Sequence, residues 1–303
     1  MEAKWRWMLV TAIAPIAWGS NYYVTRHALP PDHALYGALL RALPAGLFLL
    51  AVRPRRPRGA WWWRSAVLGA LNVGAFFALI YVTAQLLPTN VASMIMATSP
   101  IALMLLAWPL LGERPRVLPA VGAALGTVGV LVMFASRTGG VDPLGLLAST
   151  AAMAMSSVGY ILATRWGTDV DVLSLTGWQL IAGGLLLAPA AIVAEGAPPA
   201  LDGTAVLGFA YVSVVATALA FWAWFEGLRH LDAATVGLVG LLNPVTGVLL
   251  GTIVAAEVLG ARQLLGLALV FGGILIGQPA LAAAIARWRV RPAPQAAEPD
   301  ATY

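Results

Sequence analysis

Apolar runs of about 20 residues recur from one end of this chain to the other, each long enough to cross a bilayer as a helix. Of the 303 residues 60% are hydrophobic and only 10% are charged, with a mean hydropathy of +0.83. Soluble domains carry about a quarter charged residues, so this inventory cannot build a water-facing surface. Gly and Pro recur without the alternation that a membrane barrel requires, so the runs are read as helices. The expected fold is an all-α polytopic membrane protein with ten transmembrane helices. The spans cover roughly 7–25, 33–52, 62–83, 88–110, 117–134, 143–164, 172–194, 204–226, 232–254 and 261–282. Connections such as Leu29-Pro30-Pro31, Arg53-Pro54-Arg55, Gly139-Gly140 and Gly196-Ala197-Pro198-Pro199 are short turn signals with no room for a soluble domain. No cleavable signal is visible, and the first run is read as a retained span. The polar, Pro/Ala-rich tail at 285–303 is expected to be mobile and cytoplasmic. With no cysteine, disulfides and thiolate metal sites are excluded.

The stretch SMIMATSPIALMLLAWPLLGE, Ser93 to Glu113, has a sister in GLVGLLNPVTGVLLGTIVAAE, Gly237 to Glu257. In one register, 144 residues apart, Pro100 falls on Pro244, Glu113 on Glu257, and Gly122 and Gly129 on Gly266 and Gly273. Leu and Ala coincide by chance in such a chain; a proline, a glutamate and two glycines together do not. Further forward, Thr25-Arg26 meets Thr164-Arg165, and Ala66–Gly69 meets Ala205–Gly208, at an offset of 139. An insertion before the fourth and ninth spans reconciles the two offsets. The chain therefore reads as two copies of a five-helix unit, residues 1–138 and 139–284. Five is odd, so the copies lie in opposite orientations, as in many secondary transporters that build two gates around one site.

Arginine placement predicts the orientation. With the N-terminus inside, the inner side holds Lys4, Arg6, Arg53, Arg55, Arg56, Arg58, Arg64, Arg114, Arg116, Arg165, Arg229, Arg287, Arg289 and Arg291. The outer side holds Arg26, Arg137 and Arg262, and Arg41 lies within a span. Both termini are thus expected in the cytoplasm. The net charge of +5 faces anionic lipid heads, and nucleic-acid binding is not needed to explain it.

Ten spans in two halves, the Trp18-Gly19-Ser20-Asn21 run, the Ser99-Pro100 and Asn243-Pro244 pairs, and Leu111-Gly112-Glu113 closing the fourth span resemble the drug/metabolite transporter superfamily, EamA type. The resemblance covers nearly the whole chain and extends to the bacterial aromatic amino acid exporters. It implies a multi-pass exporter of the inner (plasma) membrane, with a central cavity lined by spans 1, 3, 4, 6, 8 and 9.

Polar groups within spans usually face protein or water. Asn21, Asn72, Ser93, Thr98, Ser99, Ser156, Ser157, Thr217 and Asn243 all lie in the spans named for the cavity. Ser and Thr can instead pack helices or bond back to their own i−4 carbonyl. Trp18 and Tyr22 share one helical face, as do Phe77 and Tyr81, and Tyr160 and Trp222 lie in the sixth and eighth spans. Such rings offer stacking walls for an apolar substrate body, or serve plain helix packing. The remaining tryptophans are assigned to the inner rim, Trp108, Trp178 and Trp224 among them. Pro100 and Pro244 leave the carbonyls of Met96 and Gly240 without their usual donor and mark candidate hinges. Arg41 is read as structural or gating, with pairing to a substrate carboxylate as the other option. Glu113 and Glu257, at span ends, are expected to pair with nearby arginines.

The chain has no P-loop, no cluster of its three histidines, and no carboxylate in the middle of a span. No catalytic residue, metal, cofactor, ATP or nucleic acid is therefore expected, and the protein reads as a carrier, not an enzyme. Its partners are the lipid bilayer and a small amphiphilic metabolite, foremost an aromatic or other apolar amino acid. Movement is expected to be facilitative or weakly coupled. A broad drug efflux carrier, or a membrane receptor or assembly protein without flux, are the alternatives.

Overall fold

The computed structural model describes residues 2–28, 30, 32–87, 89–134, 142–254 and 260–278. Arg137, Gly139-Gly140, Glu257 and the 285–303 tail lie outside the described residues, as do the side chains of Tyr22, Arg26 and Ser93.

Among the described residues there is no strand. The helices are α1 (Glu2–Ala28), α2 (Ala34–Val52), α3 (Trp61–Gly69), α4 (Ala75–Leu86), α5 (Thr89–Met96), α6 (Ser99–Leu111), α7 (Val117–Phe134), α8 (Pro143–Trp166), α9 (Val172–Glu195), α10 (Gly203–Ser213), α11 (Ala220–His230), α12 (Ala233–Gly240), α13 (Leu242–Val254) and α14 (Ala261–Ile276). Among the described residues, six stretches are long and apolar enough to cross a membrane: Ala34–Val52, Trp61–Thr83, Pro143–Asp169, Val172–Glu195, Gly203–His230 and Ala233–Val254. Ser99–Leu111, Val117–Met133 and Ala261–Ile276 are shorter apolar helices.

Local chemistry explains where these helices begin and break. Asp142, Asp171, Asp202 and Asp232 each accept a backbone N–H in the first turn of α8, α9, α10 and α12. Glu195 does the same for a different helix, accepting from the N–H groups of Leu35 and Tyr36 at the start of α2. Carboxylates in this chain are thus spent on orphan helix donors, which is one reason the span middles lack them. The expected fourth span is broken at Ala97-Thr98, and the ninth at Leu241. In each, a proline follows within the next turn, so Met96 and Gly240 end helices instead of lying within a kinked one. The third and eighth spans carry π-turns at Ala70–Gly74 and Val214–Leu219, which sequence patterning did not foresee.

Contacts sort the helix ends into two groups. At one end the Trp7 ring stacks on His230 at 3.6 Å, Trp63 meets Trp166 edge-on, and Arg55 pairs with Asp171 at 3.2 Å. At the other, Glu195 caps α2 and Gly145 lies against Leu86 and Leu87. The segments bearing Lys4, Arg6, Arg53, Arg55, Arg56, Arg58, Arg64, Arg114, Arg116, Arg165 and Arg229 all belong to the Trp7 end. Arg64 there lies under the rings of Trp61, Trp63 and Trp166 at 5.6 to 5.7 Å.

The two ends are packed differently. The largest core cluster fills the Trp7 half with Met8, Leu68, Leu103, Ile161, Phe221, Trp224, Phe225 and Leu228. There α12 lies along α6 so closely that a Cβ on Gly237 would fall 2.8 Å from Pro100 Cα, and α8 packs on α11. Toward the Glu195 end, α4, α5 and α8 form one group and α1 and α13 another. Among the described residues, α1 does not run close to α4, nor α5 to α13.

Candidate functional site

An aromatic cluster forms where α1, α8 and α11 meet. Trp18 meets Phe221 edge-on at 5.4 Å and Trp224 at 5.2 Å, while Tyr160 lies 5.5 Å from Trp224 and 5.8 Å from Phe225. Phe221, Trp224 and Phe225 follow an i, i+3, i+4 spacing, so one face of α11 presents all three rings to α1 and α8. Trp224 was expected at the rim; it is buried in this cluster, because α11 continues to His230 and places the ring more than a turn deeper. Trp222, on the same helix, is half-buried against the same cluster.

Beyond this cluster, the sequence-predicted residues divide between the two groups of helices. Asn21 on α1 and Asn243 on α13 are half-buried, and Gly19 lets the two helices touch, a Cβ there falling 2.6 Å from the Asn243 carbonyl. The Oδ1 of Asn21 is shielded and has no hydrogen-bond partner among the described residues. Phe77 and Tyr81 on α4 are also half-buried. Thr98 and Ser99 sit at the break before α6, where the Thr98 hydroxyl donates to the Ile95 carbonyl. For Tyr22 and Ser93 only the backbone position is described, on α1 and α5.

Two expected wall residues lie elsewhere. Asn72 is fully buried in its π-turn, donating to Gln179 of α9 at 2.8 Å, with its Oδ1 pressed toward Gly159. It lies in the crossing between the π-turn and α9. Ser157 is buried and donates to the Met153 carbonyl four residues back, the helix-packing option. Ser156 likewise donates to Met153, and Thr217 receives a hydrogen bond from Arg41.

Sequence reasoning also missed a polar link between α1 and α10, where the hydroxyls of Ser20 and Tyr211 lie 2.5 Å apart. Ser20 belonged to the recognised Trp18–Asn21 run, but nothing in the sequence identified its partner.

Glu113 departs from expectation. Gly112, at φ 75°, turns the chain out of α6, and the Glu113 carboxylate accepts the Ala233 N–H at the start of α12 at 2.9 Å. Arg116 pairs instead with Asp232, at 3.7 Å. Burial pushes the Glu113 carboxyl above its ordinary value, outweighing the opposing Ala233 hydrogen bond and Arg116. Two small cavities of about 230 and 290 Å³ lie at the Trp7 end, one around Arg116 and Asp232 and one around Arg229 that reaches Phe225.

This architecture is shared. A solved crystal structure of a protein 21% identical to this chain superposes with a TM-score of 0.78, covering 91% of this chain and 99% of its own. Protein PecM of Dickeya dadantii (strain 3937) is 34% identical over 267 residues, 88% of this chain and 90% of its own. A protein of Escherichia coli (strain K12) named "Probable amino-acid metabolite efflux pump" is 26% identical over 300 residues, 93% of this chain and 96% of its own. The model of the EamA-like transporter family matches twice, over residues 5–135 and 143–276. Two matches to a membrane transporter family, on a chain of stacked apolar helices, leave one conclusion: the chain belongs to the EamA-like transporter family and is a multi-pass membrane transporter.

Proposed function

We propose that this transporter is an alternating-access exporter of small amphiphilic metabolites, foremost aromatic or other apolar amino acids, in the cell inner membrane. The observation that carries the reading is the aromatic cluster of Trp18, Tyr160, Phe221, Trp224 and Phe225, with Asn21 and Asn243 half-buried on the adjoining α1 and α13 and Phe77 and Tyr81 half-buried on α4. Rings and a few amides suit a substrate with an apolar body and a polar head. The clustering of arginines at the Trp7 end supports a cytoplasmic assignment for that end, and with it both termini.

Ten spans in two inverted five-helix repeats fit the packing. Helix α2 runs against α9 and α7 against α14, so each pairs with its own counterpart. Contacts of α1 with α11 and α13 recur as those of α8 with α4 and α6. Gly69 approaches the Gln179 carbonyl as Ser213 approaches that of Leu40. These contacts set Gly69 against Ser213 at an offset of 144, and Leu40 against Gln179 at 139. These contacts support an insertion between the second and third spans of a half, where α9 outruns α2, instead of one before the fourth and ninth spans.

Coupling is read as facilitative or weak, because the carboxylates cap helix ends. Purified protein in liposomes tests the whole reading: phenylalanine or tryptophan should equilibrate without an ion gradient and reverse direction with its own gradient. Uphill uptake under a pH gradient, lost in Glu113→Gln, would establish proton coupling instead. Flux of organic cations but not amino acids would favour a drug carrier, and no flux of either a receptor.

A further inference from the structure

We infer that Arg64, with the tryptophans around it, binds the phosphate of an anionic phospholipid in the leaflet at the Trp7 end. Arg64 is half-buried in the first turn of α3, its Cζ 5.6 to 5.7 Å from the ring centroids of Trp61, Trp63 and Trp166. Its Nε is shielded and has no hydrogen-bond partner. Among the described residues its side chain makes no ion pair or hydrogen bond, and its Nη groups do not share the shielding of Nε. Elsewhere at this end arginines find acceptors within the protein. Arg53 and Arg55 lie 3.8 and 3.2 Å from Asp171, Arg116 lies 3.7 Å from Asp232, and Arg229 donates to the Val170 carbonyl.

Aromatic rings hold a guanidinium without cancelling its charge, because a ring offers a quadrupole and no net charge. A half-buried cation held this way still calls for an anion. Position decides which one. Trp62 and Trp63, in the same helical turn, are 64% and 52% exposed, at the start of the membrane-crossing stretch Trp61–Thr83. Indoles exposed at the end of a span sit at headgroup depth, with an apolar body toward the acyl chains and a polar edge toward water. The anion met at that depth is lipid phosphate, which a planar guanidinium fork matches with two parallel hydrogen bonds. The exposed Arg58, in the loop just before α3, has no such rings around it.

The test titrates purified wild type, Arg64→Gln, Arg64→Lys and Arg58→Gln in detergent with phosphatidylglycerol and with phosphatidylcholine of the same chains. Bound lipid is read by native mass spectrometry. Wild type should bind phosphatidylglycerol the more tightly. Arg64→Gln should weaken phosphatidylglycerol about fivefold or more and remove most of that preference, whereas Arg58→Gln, which loses the same charge, should keep it. Arg64→Lys keeps a cation over the rings but loses the fork; it should fall between, and it carries the test if the glutamine variant does not fold. Equal weakening by Arg64→Gln and Arg58→Gln would mean a diffuse basic rim and overturn the site. A lysine variant that binds as tightly as wild type would overturn it too, as would a wild type with no lipid preference. Inorganic phosphate added at the lipid concentration should leave the lipid bound; displacement would overturn the lipid in favour of free phosphate. None of these results touches the exporter reading, whose test is flux.

Discussion

Neighbouring glycines on α14 provide a sharp test of the packing, because the structure assigns them opposite roles. Helices α7 and α14 meet backbone to backbone: a Cβ on Gly273 would fall 2.5 Å from the Gly122 carbonyl and 2.7 Å from the Gly126 nitrogen. An ordinary contact begins near 3.4 Å, so the methyl group of Gly273→Ala must push the helices apart by roughly 0.9 Å. On the adjacent Gly272 a Cβ meets only Leu125 Cδ2, at 3.7 Å, an ordinary contact. Both substitutions gain the same helix propensity, about 1 kcal/mol, which cancels in their difference. What remains is the overpacking, about 1–3 kcal/mol against Gly273→Ala. Thermal unfolding of the two variants in one detergent, followed by tryptophan fluorescence, should therefore rank Gly272→Ala above Gly273→Ala. Gly272→Ala should melt at or above the wild type. A Gly273→Ala protein melting as high as Gly272→Ala would refute the close approach of α7 and α14.

Because the chain has no cysteine, single introduced thiols report accessibility directly: Thr25→Cys, exposed at the far end of α1, should react with a membrane-impermeant reagent from the Glu195 side, whereas Thr11→Cys, buried under Gly227, should be protected. Reporter fusions should place the 53–64 loop in the cytoplasm; periplasmic activity there would reverse the assignment of ends. Glu113→Ala should cost about 1 kcal/mol by uncapping α12, with Glu113→Gln, which keeps an acceptor, losing less in the same melt. Because the Glu113 carboxyl is raised in the fold, its ionisation opposes folding: stability should fall as pH rises from its ordinary 4.5 through the raised value, a slope absent in Glu113→Gln. Asp171 has the opposite sign. Burial raises it, but hydrogen bonds from Ser174, then Arg53 and Arg55, hold it below 3.8, so its contribution should fade as pH falls through that lower value and be missing in Asp171→Asn.

Fold class was legible because a bilayer leaves few solutions: apolar runs of about 20 residues must be helices, and arginines gather on one side. Side-chain placement was legible only where helices are regular. Asn21 and Asn243 are half-buried on α1 and α13, while Asn72 is fully buried against α9, since a π-turn adds a residue to the turn and changes the direction of its side chains. No residue type announces such a turn, and neither strand of reasoning from polarity or depth could have moved Asn72 onto α9. Trp224 failed for a different reason. Its depth was counted from a span end placed too early, and helix ends are the least legible feature of any sequence.

The irregularities missed in the sequence are also what make a one-sided opening mechanically possible. Regular rods crossing the whole membrane would have to tilt as units, opening one end only by disturbing the other. Here α5 stops at Met96 before α6, and α12 stops at Gly240 before α13, with Pro100 and Pro244 excluding a continuous ladder across each break. The π-turns loosen the third and eighth spans at Ala70–Gly74 and Val214–Leu219. Helices α4, α5 and α13 therefore form half-length segments toward the Glu195 end, while α6, α11 and α12 lie toward the Trp7 end. In the proposed exporter, small changes at these four irregular points would move one half of the bundle without unpacking its partner, as switching between two gates requires.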